Sequence, residues 1–177
     1  MKRNKHIITL LLVISGFSFS QDCEDGYTNI DFEGLPETTT IIDGNTCLSN
    51  VDLEALYELI IANNLVDDNT ALEVGNQTWK DGRLLGLAAN FSPNGSDGVN
   101  QKLTILPDSF GNIDSLAVLF LEWNNLENLP NSFSQLTNLS SLTINNNWLT
   151  ELPEDIGNLS NLITLDLGYN QLNSIPE

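Results

Sequence analysis

Few side chains in this 177-residue sequence are suited to catalysis. His6 is the only histidine, and it lies in an N-terminal segment that we expect to be removed on export. The usual pairs of nucleophile and base need a histidine or a free thiol, so we predict that the protein is not an enzyme. Composition leaves open only a hydrolase that uses two carboxylates. No cofactor and no metal site are predicted.

The sequence is strongly acidic, with 24 Asp and Glu against six Lys and Arg and a net charge of −18. Loss of the N-terminal segment would leave three basic residues, Lys80, Arg83 and Lys102, against the same 24 acids, a net charge of −21. Such a chain repels phosphate backbones and anionic lipids, which excludes nucleic acid and disfavours membrane association. The acidity serves solubility, or it attracts basic partners or divalent cations.

Residues 1–20 have the pattern of a signal peptide. Basic residues are followed by a largely apolar run at 7–19, and Ser18-Phe19-Ser20 matches a small-x-small cleavage site before Gln21. The run is too short for a permanent membrane span, although a membrane tether is the alternative interpretation. We therefore predict a secreted or cell-surface protein whose mature chain does not insert into a membrane.

Cys23 and Cys47 are the only two cysteines. In an exported protein an isolated pair is most simply one disulfide, and two unlinked thiols are the alternative. Closing a loop of this length would stabilise the fold by roughly 3–4 kcal/mol in the chain-entropy model.

The second half of the chain repeats with a period of 23 residues. Repeats begin at Leu103, Leu126 and Leu149, and a fourth begins at Leu172 and stops within its first turn. In each repeat two apolar residues alternate with other residues, which predicts a short strand with one buried face. Strands this short need neighbours, so we expect successive coils to stack into one parallel sheet.

Two further positions recur in every period. A proline followed by an acidic or amide residue and spaced apolar residues predicts a short helical turn on the opposite side from the strand. An asparagine follows each strand, where a buried carboxamide can bond the backbone of a sharp turn. We interpret these residues as a structural ladder, which comprises Asn90, Asn124, Asn147 and Asn170.

The pattern LxxLxLxxNxLxxLP is present as LAVLFLEWNNLENLP, LSSLTINNNWLTELP and LITLDLGYNQLNSIP. It resembles the leucine-rich-repeat family in its 23-residue form, and the resemblance is firm over residues 103–177. It implies an α/β repeat solenoid, a right-handed coil with a short parallel sheet on its concave face and helical or 3-10 turns on its convex face.

Upstream the repeat weakens. Leu85-x-Leu87-x-x-Asn90 predicts a degenerate first coil at 82–90, so the solenoid would span 82–177 and include an 11-residue insertion within the loop 91–102. That loop is either a tolerated surface loop or a binding loop. Residues 21–81 resemble the N-terminal cap of extracellular leucine-rich-repeat proteins, although the cysteine pair that often flanks the cap tryptophan is absent.

Within this cap, Ser49 to Asn64 predicts an amphipathic helix that begins with a capping box. Trp79 is expected in the core. Residues 21–48 predict a small hairpin held by the disulfide.

Residues between the buried leucines should face the concave side, and several are aromatic although packing does not require it. Exposed aromatic residues beside polar ones are typical of binding surfaces, although some of these, Trp148 above all, would instead shield the core edge. The predicted ligand-binding residues are Phe120, Glu122, Trp123, Thr143, Asn145, Asn146, Trp148, Asp166 and Tyr169.

The resemblance favours an exported module for protein–protein interaction or adhesion, whose acidic residues would suit basic groups on a protein or peptide partner. A carbohydrate-binding module is the alternative, with sugar rings stacked on Trp123 or Tyr169. A solenoid needs a polar cap at each end, and none follows Leu172. The sequence therefore also fits an N-terminal fragment of a larger receptor or adhesin, or an edge covered by another chain; it does not set the oligomeric state.

Overall fold

The structure is a computed structural model that describes residues 23–65, 70–92 and 98–176. The predicted signal peptide at 1–20 lies outside the described residues. Among the described residues, no helix is long and apolar enough to cross a membrane. The helix and strands are, in chain order, β1 (Tyr27–Asn29), β2 (Thr39–Ile41), β3 (Cys47–Ser49), α1 (Asn50–Asn63), β4 (Asn76–Lys80), β5 (Arg83–Ala88), β6 (Val118–Phe120), β7 (Ser141–Thr143) and β8 (Thr164–Asp166).

Six of the strands form one mixed sheet in the order β2-β4-β5-β6-β7-β8. Strands β5 to β8 run parallel, and β4 is antiparallel to β5. Leu119 pairs with Leu142, and Leu142 with Leu165, so the 23-residue period of the sequence is also the register of the sheet. Leu119 and Leu142 are fully buried, and stacked leucines of this kind build the core under β6 and β7.

A 3-10 helix returns the chain between successive strands. The three are Asp108–Asn112, Asn131–Gln135 and Glu154–Asn158, each preceded by a proline. Proline suits this position because its fixed φ prepares the turn and its missing N–H would have no partner inside the helix. Phe110 and Phe133 lie fully buried in the first two of these turns. The predicted helical turns are therefore present as 3-10 helices.

An asparagine ladder connects the coils after the strands. The Nδ2 of Asn147 donates to the carbonyls of Leu121 and Ile144, and its Oδ1 accepts from the N–H of Leu126. Asn124 and Asn170 make the equivalent bonds one period earlier and one period later. Each carboxamide thus satisfies backbone groups of two coils, which a buried turn requires.

A second series of asparagines, on the 3-10 side, was not predicted. Asn138 Nδ2 donates to the carbonyl of Asp114 at 2.8 Å, and Asn161 Nδ2 donates to the carbonyl of Thr137 at 2.7 Å. These residues are also 23 apart, so their spacing was a usable signal.

The hairpin of β4 and β5 places the cap and the coils in one sheet. Its turn is Asp81-Gly82, with φ of 51° and 74°, as a two-residue type I′ turn requires. A side chain at Gly82 would also collide with the carbonyl of Cys47. The domain boundary predicted at 81/82 therefore falls within this turn.

Helix α1 covers the first coil. Ser49 Oγ accepts from the N–H of Asp52 at the N-terminus, and Asn64 ends the helix in the left-handed conformation. The helix buries Leu56 and Leu59 and packs against the 3-10 helix Asp108–Asn112. The predicted helix is therefore present, but only the Ser49 half of the predicted capping box is, because the Asp52 carboxylate bonds Arg83 and Leu84 instead.

A buried ion pair links α1 to β5. Asp52 has no solvent exposure, and its carboxylate accepts from Nε and Nη2 of Arg83 at 2.9 and 2.8 Å and from the N–H of Leu84. The hydrogen bonds to Asp52 raise the pKa of Arg83 above its ordinary value. Arg83 Nη2 also reaches the exposed carboxylate of Asp114 at 2.7 Å, so one guanidinium joins the helix, the hairpin and the first coil.

The remaining cap predictions have mixed outcomes. The disulfide between Cys23 and Cys47 is confirmed, and Trp79 is fully buried with its Nε1 donating to Gln77. The hairpin predicted in 21–48 is present only in part, as an antiparallel pair of strands that are not consecutive. Strand β1 pairs with β3, while β2 lies beside β4 in the large sheet.

The register predicted for the first coil is also wrong. Leu87, rather than Leu85, pairs with Leu119, and Ala89 then takes the position of Leu121. Asn90 therefore lies opposite Glu122 rather than in line with the ladder, and Ser92 is the residue that aligns with Asn124. Since 32 residues separate Leu87 from Leu119 against 23 in the next coil, the insertion is nine residues long and not eleven. Residues 93–97 of that loop lie outside the described residues.

The last described coil is open on one side. Leu165 of β8 is 48% exposed although its equivalents in β6 and β7 are buried, and Ile163 is 88% exposed. Apolar residues are exposed here because the described residues include no further coil to cover them.

Candidate ligand-binding face

The side of the sheet opposite the leucine core is formed by side chains that alternate with the buried leucines. We call this surface the open face; on β6, β7 and β8 and their ends it comprises Val118, Phe120, Glu122, Ser141, Thr143, Asn145, Thr164, Asp166 and Gly168. The strand register aligns Phe120 with Thr143 and Asp166, while Glu122, Asn145 and Gly168 follow at the strand ends. The predicted site residues on the strands are therefore adjacent.

Hydrogen bonds between coils hold the polar groups of the open face. Thr143 Oγ1 donates to Glu122 Oε1 at 2.7 Å, and Asn145 Nδ2 donates to Asp166 Oδ2 at 2.6 Å. The N–H of Gly168 donates to Asp166 Oδ1 at 2.9 Å. The Gly168 and Asn145 bonds, in that order, lower the pKa of Asp166 below its ordinary value. Asp166 is thus a fixed negative charge at neutral pH.

The open face has more hydrogen-bond acceptors than donors to pair with them. Glu122 Oε2 is a buried atom without a hydrogen-bond donor among the described residues. Asn76 Oδ1 is in the same condition, and Asn76 aligns through Ala88 with Phe120. Buried acceptors without donors are rare in folded proteins because each has a desolvation penalty. A ligand that brings donors would suit this surface better than one that brings acceptors.

A column of residues with positive φ borders the open face just after the strands. Trp123, Asn146 and Tyr169 have φ of 64°, 55° and 55° and occupy the same position in successive coils. Asparagine takes the left-handed conformation more readily than other non-glycine residues, whereas for most residues it costs roughly 1–2 kcal/mol. The backbone at Trp123 and Tyr169 therefore favours a residue like Asn146 over an aromatic one.

Burial in the core does not explain the two aromatic residues. Trp123 is 58% exposed and Tyr169 is 85% exposed. A residue that is both conformationally unfavourable and exposed points to a role outside folding. Roughly 9–10 Å separates their backbones, which is two strand spacings, with Asn146 between them. Asn146 Nδ2 is bonded to Asn145 Oδ1 at 2.7 Å, so the side chain between the aromatic rings is held in place.

The structure separates Trp148 from the other predicted site residues. It follows the ladder residue Asn147, and its N–H donates to the carbonyl of Leu126 on the flank of the coils. Trp148 is 49% exposed but does not belong to the strand rows or to the positive-φ column.

Phe91 is a site residue that the sequence analysis missed. Its N–H donates to the carbonyl of Glu122, as that of Trp123 donates to Asn145, so Phe91 aligns with Trp123 in the register, although it does not share the positive φ. The Nζ of Lys102 lies 5.2 Å from the centre of the Phe91 ring, in cation–π contact. This alignment is hidden in the sequence because Ala89 replaces a leucine and the insertion follows directly.

Two surface recesses among the described residues lie away from the open face. The recesses, of about 300 and 100 Å³, are lined by 104–106 with 127–130 and by residues of the cap with 98–100, and neither includes an open-face side chain. Enclosed pockets are typical of small-molecule sites, whereas a shallow face suits an extended ligand. Among the described residues, no group of His, Cys, Asp and Glu is arranged to hold a metal ion.

Comparison with known proteins adds no relative. No protein-family model matches the chain, and no curated protein matches it.

Proposed function

We propose that the protein is an exported leucine-rich-repeat module that binds a protein or peptide partner through the open face. The 23-residue register, the asparagine ladder and the 3-10 turns support a leucine-rich-repeat solenoid as its architecture. The disulfide is compatible with an extracellular location. In this proposal the module carries out recognition and no catalysis.

The observation that carries the proposal is the pair Trp123 and Tyr169. Both rings are exposed at positions where the backbone disfavours them, which a purely structural role does not explain. Exposed aromatic residues next to ordered polar groups form the anchors of protein interfaces, because they bury a large area and lose little conformational freedom. The hydrogen-bonded Asn145 and Asp166 would form the polar surroundings of those anchors.

Selection from a displayed library of random peptides tests this proposal. We expect the selected peptides to lose affinity for the variants Trp123→Asn and Tyr169→Asn. Asparagine already occupies the equivalent position 146, so these variants should keep the fold and gain up to roughly 1 kcal/mol of unfolding free energy. If the aromatic residues were structural, the same variants would lose stability.

Trp148→Asn is the matched control, since it removes an equally large exposed ring from the flank. Peptides whose affinity falls with Trp148→Asn and not with the other two variants would contradict the proposal.

A glycan is the second candidate ligand, because the two rings flank amide and carboxylate groups that can bond hydroxyls. A glycan array probed with the same variants tests it. Glycan binding that depends on Trp123 and Tyr169, with no peptide selected, would replace the protein partner with a carbohydrate.

A further inference from the structure

The positive-φ column and the first-coil residue in register with it form a series of four residues: Phe91, Trp123, Asn146 and Tyr169. Among the described residues, a cation contacts an aromatic ring of this series only in the first coil, where Lys102 Nζ lies 5.2 Å from the centre of the Phe91 ring. Aromatic rings attract cations through the negative charge of their faces. The contact in the first coil is therefore an example of a cation placed on an aromatic ring of this series.

The later coils have no cation of their own. Lys102 is the last basic residue of the sequence, and residues 103–176 contain eight acidic residues and no Lys or Arg. The rings of Trp123 and Tyr169 are thus exposed in a strongly negative surrounding with no intramolecular cation near them in sequence. A partner that supplies cations could make, on Trp123 and Tyr169, the kind of contact that Lys102 makes on Phe91.

We propose that the partner is a basic peptide segment that places one arginine side chain on Trp123 and another on Tyr169. This inference rests on the proposed function and specifies its ligand. Glu122 precedes Trp123 and has an oxygen without a donor, while Asp166 is bonded to the residue before Tyr169. Each aromatic position therefore has a carboxylate nearby to meet the guanidinium hydrogens. Arginine fits better than lysine because its planar group stacks on a ring and donates to a carboxylate at the same time.

The separation of the two positions specifies the peptide further. Two strand spacings amount to roughly 9–10 Å. In a polyproline II segment, residues i and i+3 lie on the same side about 9.3 Å apart. In a β-strand the nearest residues on one side, i and i+2, are only about 6.7 Å apart. The spacing of the two backbone positions therefore favours an Arg-x-x-Arg segment in polyproline II conformation.

The test uses the capped peptide Gly-Arg-Pro-Pro-Arg-Gly and its isostere in which citrulline replaces both arginines. Binding is measured by calorimetry or NMR titration at low and physiological salt. We expect the arginine peptide to bind and the citrulline peptide to bind at least about tenfold more weakly, since two cation–π contacts and the charge are lost. Trp123→Asn and Tyr169→Asn should each weaken binding about two- to thirtyfold.

A matched pair of charge variants separates local contact from the general negative field. Glu122→Gln and Glu151→Gln remove the same charge, but Glu151 is exposed on the flank of the third coil. We expect Glu122→Gln to weaken the peptide clearly more than Glu151→Gln. Equal effects of the two variants, or equal binding of the citrulline peptide, would overturn the inference.

The library selection separates failure of the arginine ligand from failure of the proposed function. Selected peptides that require Trp123 and Tyr169 but contain no basic residue would leave the proposed function standing and refute the arginine ligand. Absence of any peptide that requires these rings, together with no binding of the arginine probe, would refute both.

Discussion

The cap and the repeated coils are stabilised in different ways. The cap depends on contacts that occur once, such as the disulfide and the buried pair of Asp52 and Arg83. In the coils the same bonds recur every 23 residues, as those of Asn124 and Asn147 do. Repeated contacts distribute the stability over neighbouring coils, whereas single contacts concentrate it. We therefore expect the cap to respond to single substitutions more sharply than the coils.

Within each coil, the residues that hold the fold are distinct from the residues that could contact a ligand. Leucines and asparagines occupy the positions that hold the fold, so residues on the open face are free to differ. Phe120, Thr143 and Asp166 occupy one equivalent position, and an aromatic, a hydroxyl and a carboxylate there coexist with the same backbone register. A face built in this way can acquire a binding surface without a change in the scaffold.

The substitution Asp52→Asn should have the largest effect. It removes the charge of the fully buried partner, whereas the guanidinium of Arg83 is 24% exposed, so the cost should fall at the lower end of the about 3–5 kcal/mol for breaking a buried pair. Denaturant unfolding measures the loss. A guanidinium stays charged at every accessible pH even without Asp52, so loss of a proton cannot relieve the defect.

Asp114→Asn is the control for this prediction, because Asp114 bonds the same guanidinium from an exposed position. An exposed ion pair contributes at most about 1 kcal/mol. Similar losses of stability in the two variants would contradict the view that the contact of Asp52 contributes more because Asp52 is buried.

Replacement of both Cys23 and Cys47 by serine should lower the stability by roughly 3–4 kcal/mol in the chain-entropy model. The bond closes a loop with a sequence separation of 24 within the cap, so the loss should be local to it. Hydrogen exchange of the variant should quicken in β1 and β3 and stay slow in β6 and β7. Equal acceleration in all four strands would show that cap and coils unfold as one unit.

The ladder tests whether equivalent residues in the coils contribute equally. Asn147→Ala leaves the N–H of Leu126 and two carbonyls without partners in a buried place, which costs about 2–3 kcal/mol. Asn170→Ala removes equivalent bonds in the open last coil, where water can replace them, and should cost about 1 kcal/mol or less. Thermal unfolding of the two variants measures the difference. Equal losses would show that coil position does not matter.

Sequence periodicity predicted the coils well because one physical requirement recurs in each. Burial of a leucine every second residue and a carboxamide at each turn leaves a pattern that three copies make clear. The first coil lost this pattern, since Ala89 and Ser92 replace leucine and asparagine, and Leu85 and Asn90 offered a competing register two residues away. The two substitutions keep the backbone path of the coil, but they moved the predicted register by two residues.

The site was predicted only in part for a related reason. Alternation along a strand shows which residues leave the core, and this places Glu122 and Asp166 on one face. It does not show the left-handed backbone at Trp123 and Tyr169, because that conformation follows from the turn into the ladder. The contact between Lys102 and Phe91 was also out of reach, because the insertion loop brings the two residues together.

The smallest expected effect concerns the pKa values of two aspartates, Asp43 in the cap and Asp166 in the coils. The pKa of Asp43 in the cap is lowered mainly by the backbone N–H of Asp81, and that of Asp166 in the coils by Gly168 and then by Asn145. Because both values are lowered in the folded state, each contribution to stability is present above the unfolded pKa near 4 and is lost as pH falls through the folded value.

Asn145→Ala should raise the pKa of Asp166 but leave it below the ordinary value, since the bond from Gly168, which has the larger effect, remains. NMR titration of the side-chain carboxyl carbons follows both aspartates in one sample. Asp43 is the internal control and should titrate unchanged, and Thr143→Ala should alter neither aspartate because its bond goes to Glu122. An unshifted Asp166 in Asn145→Ala would mean that the coil-to-coil bond is not formed in solution. The fixed charge opposite Tyr169 would then depend on a single coil, and the polar part of the open face would be less ordered than the ladder beneath it.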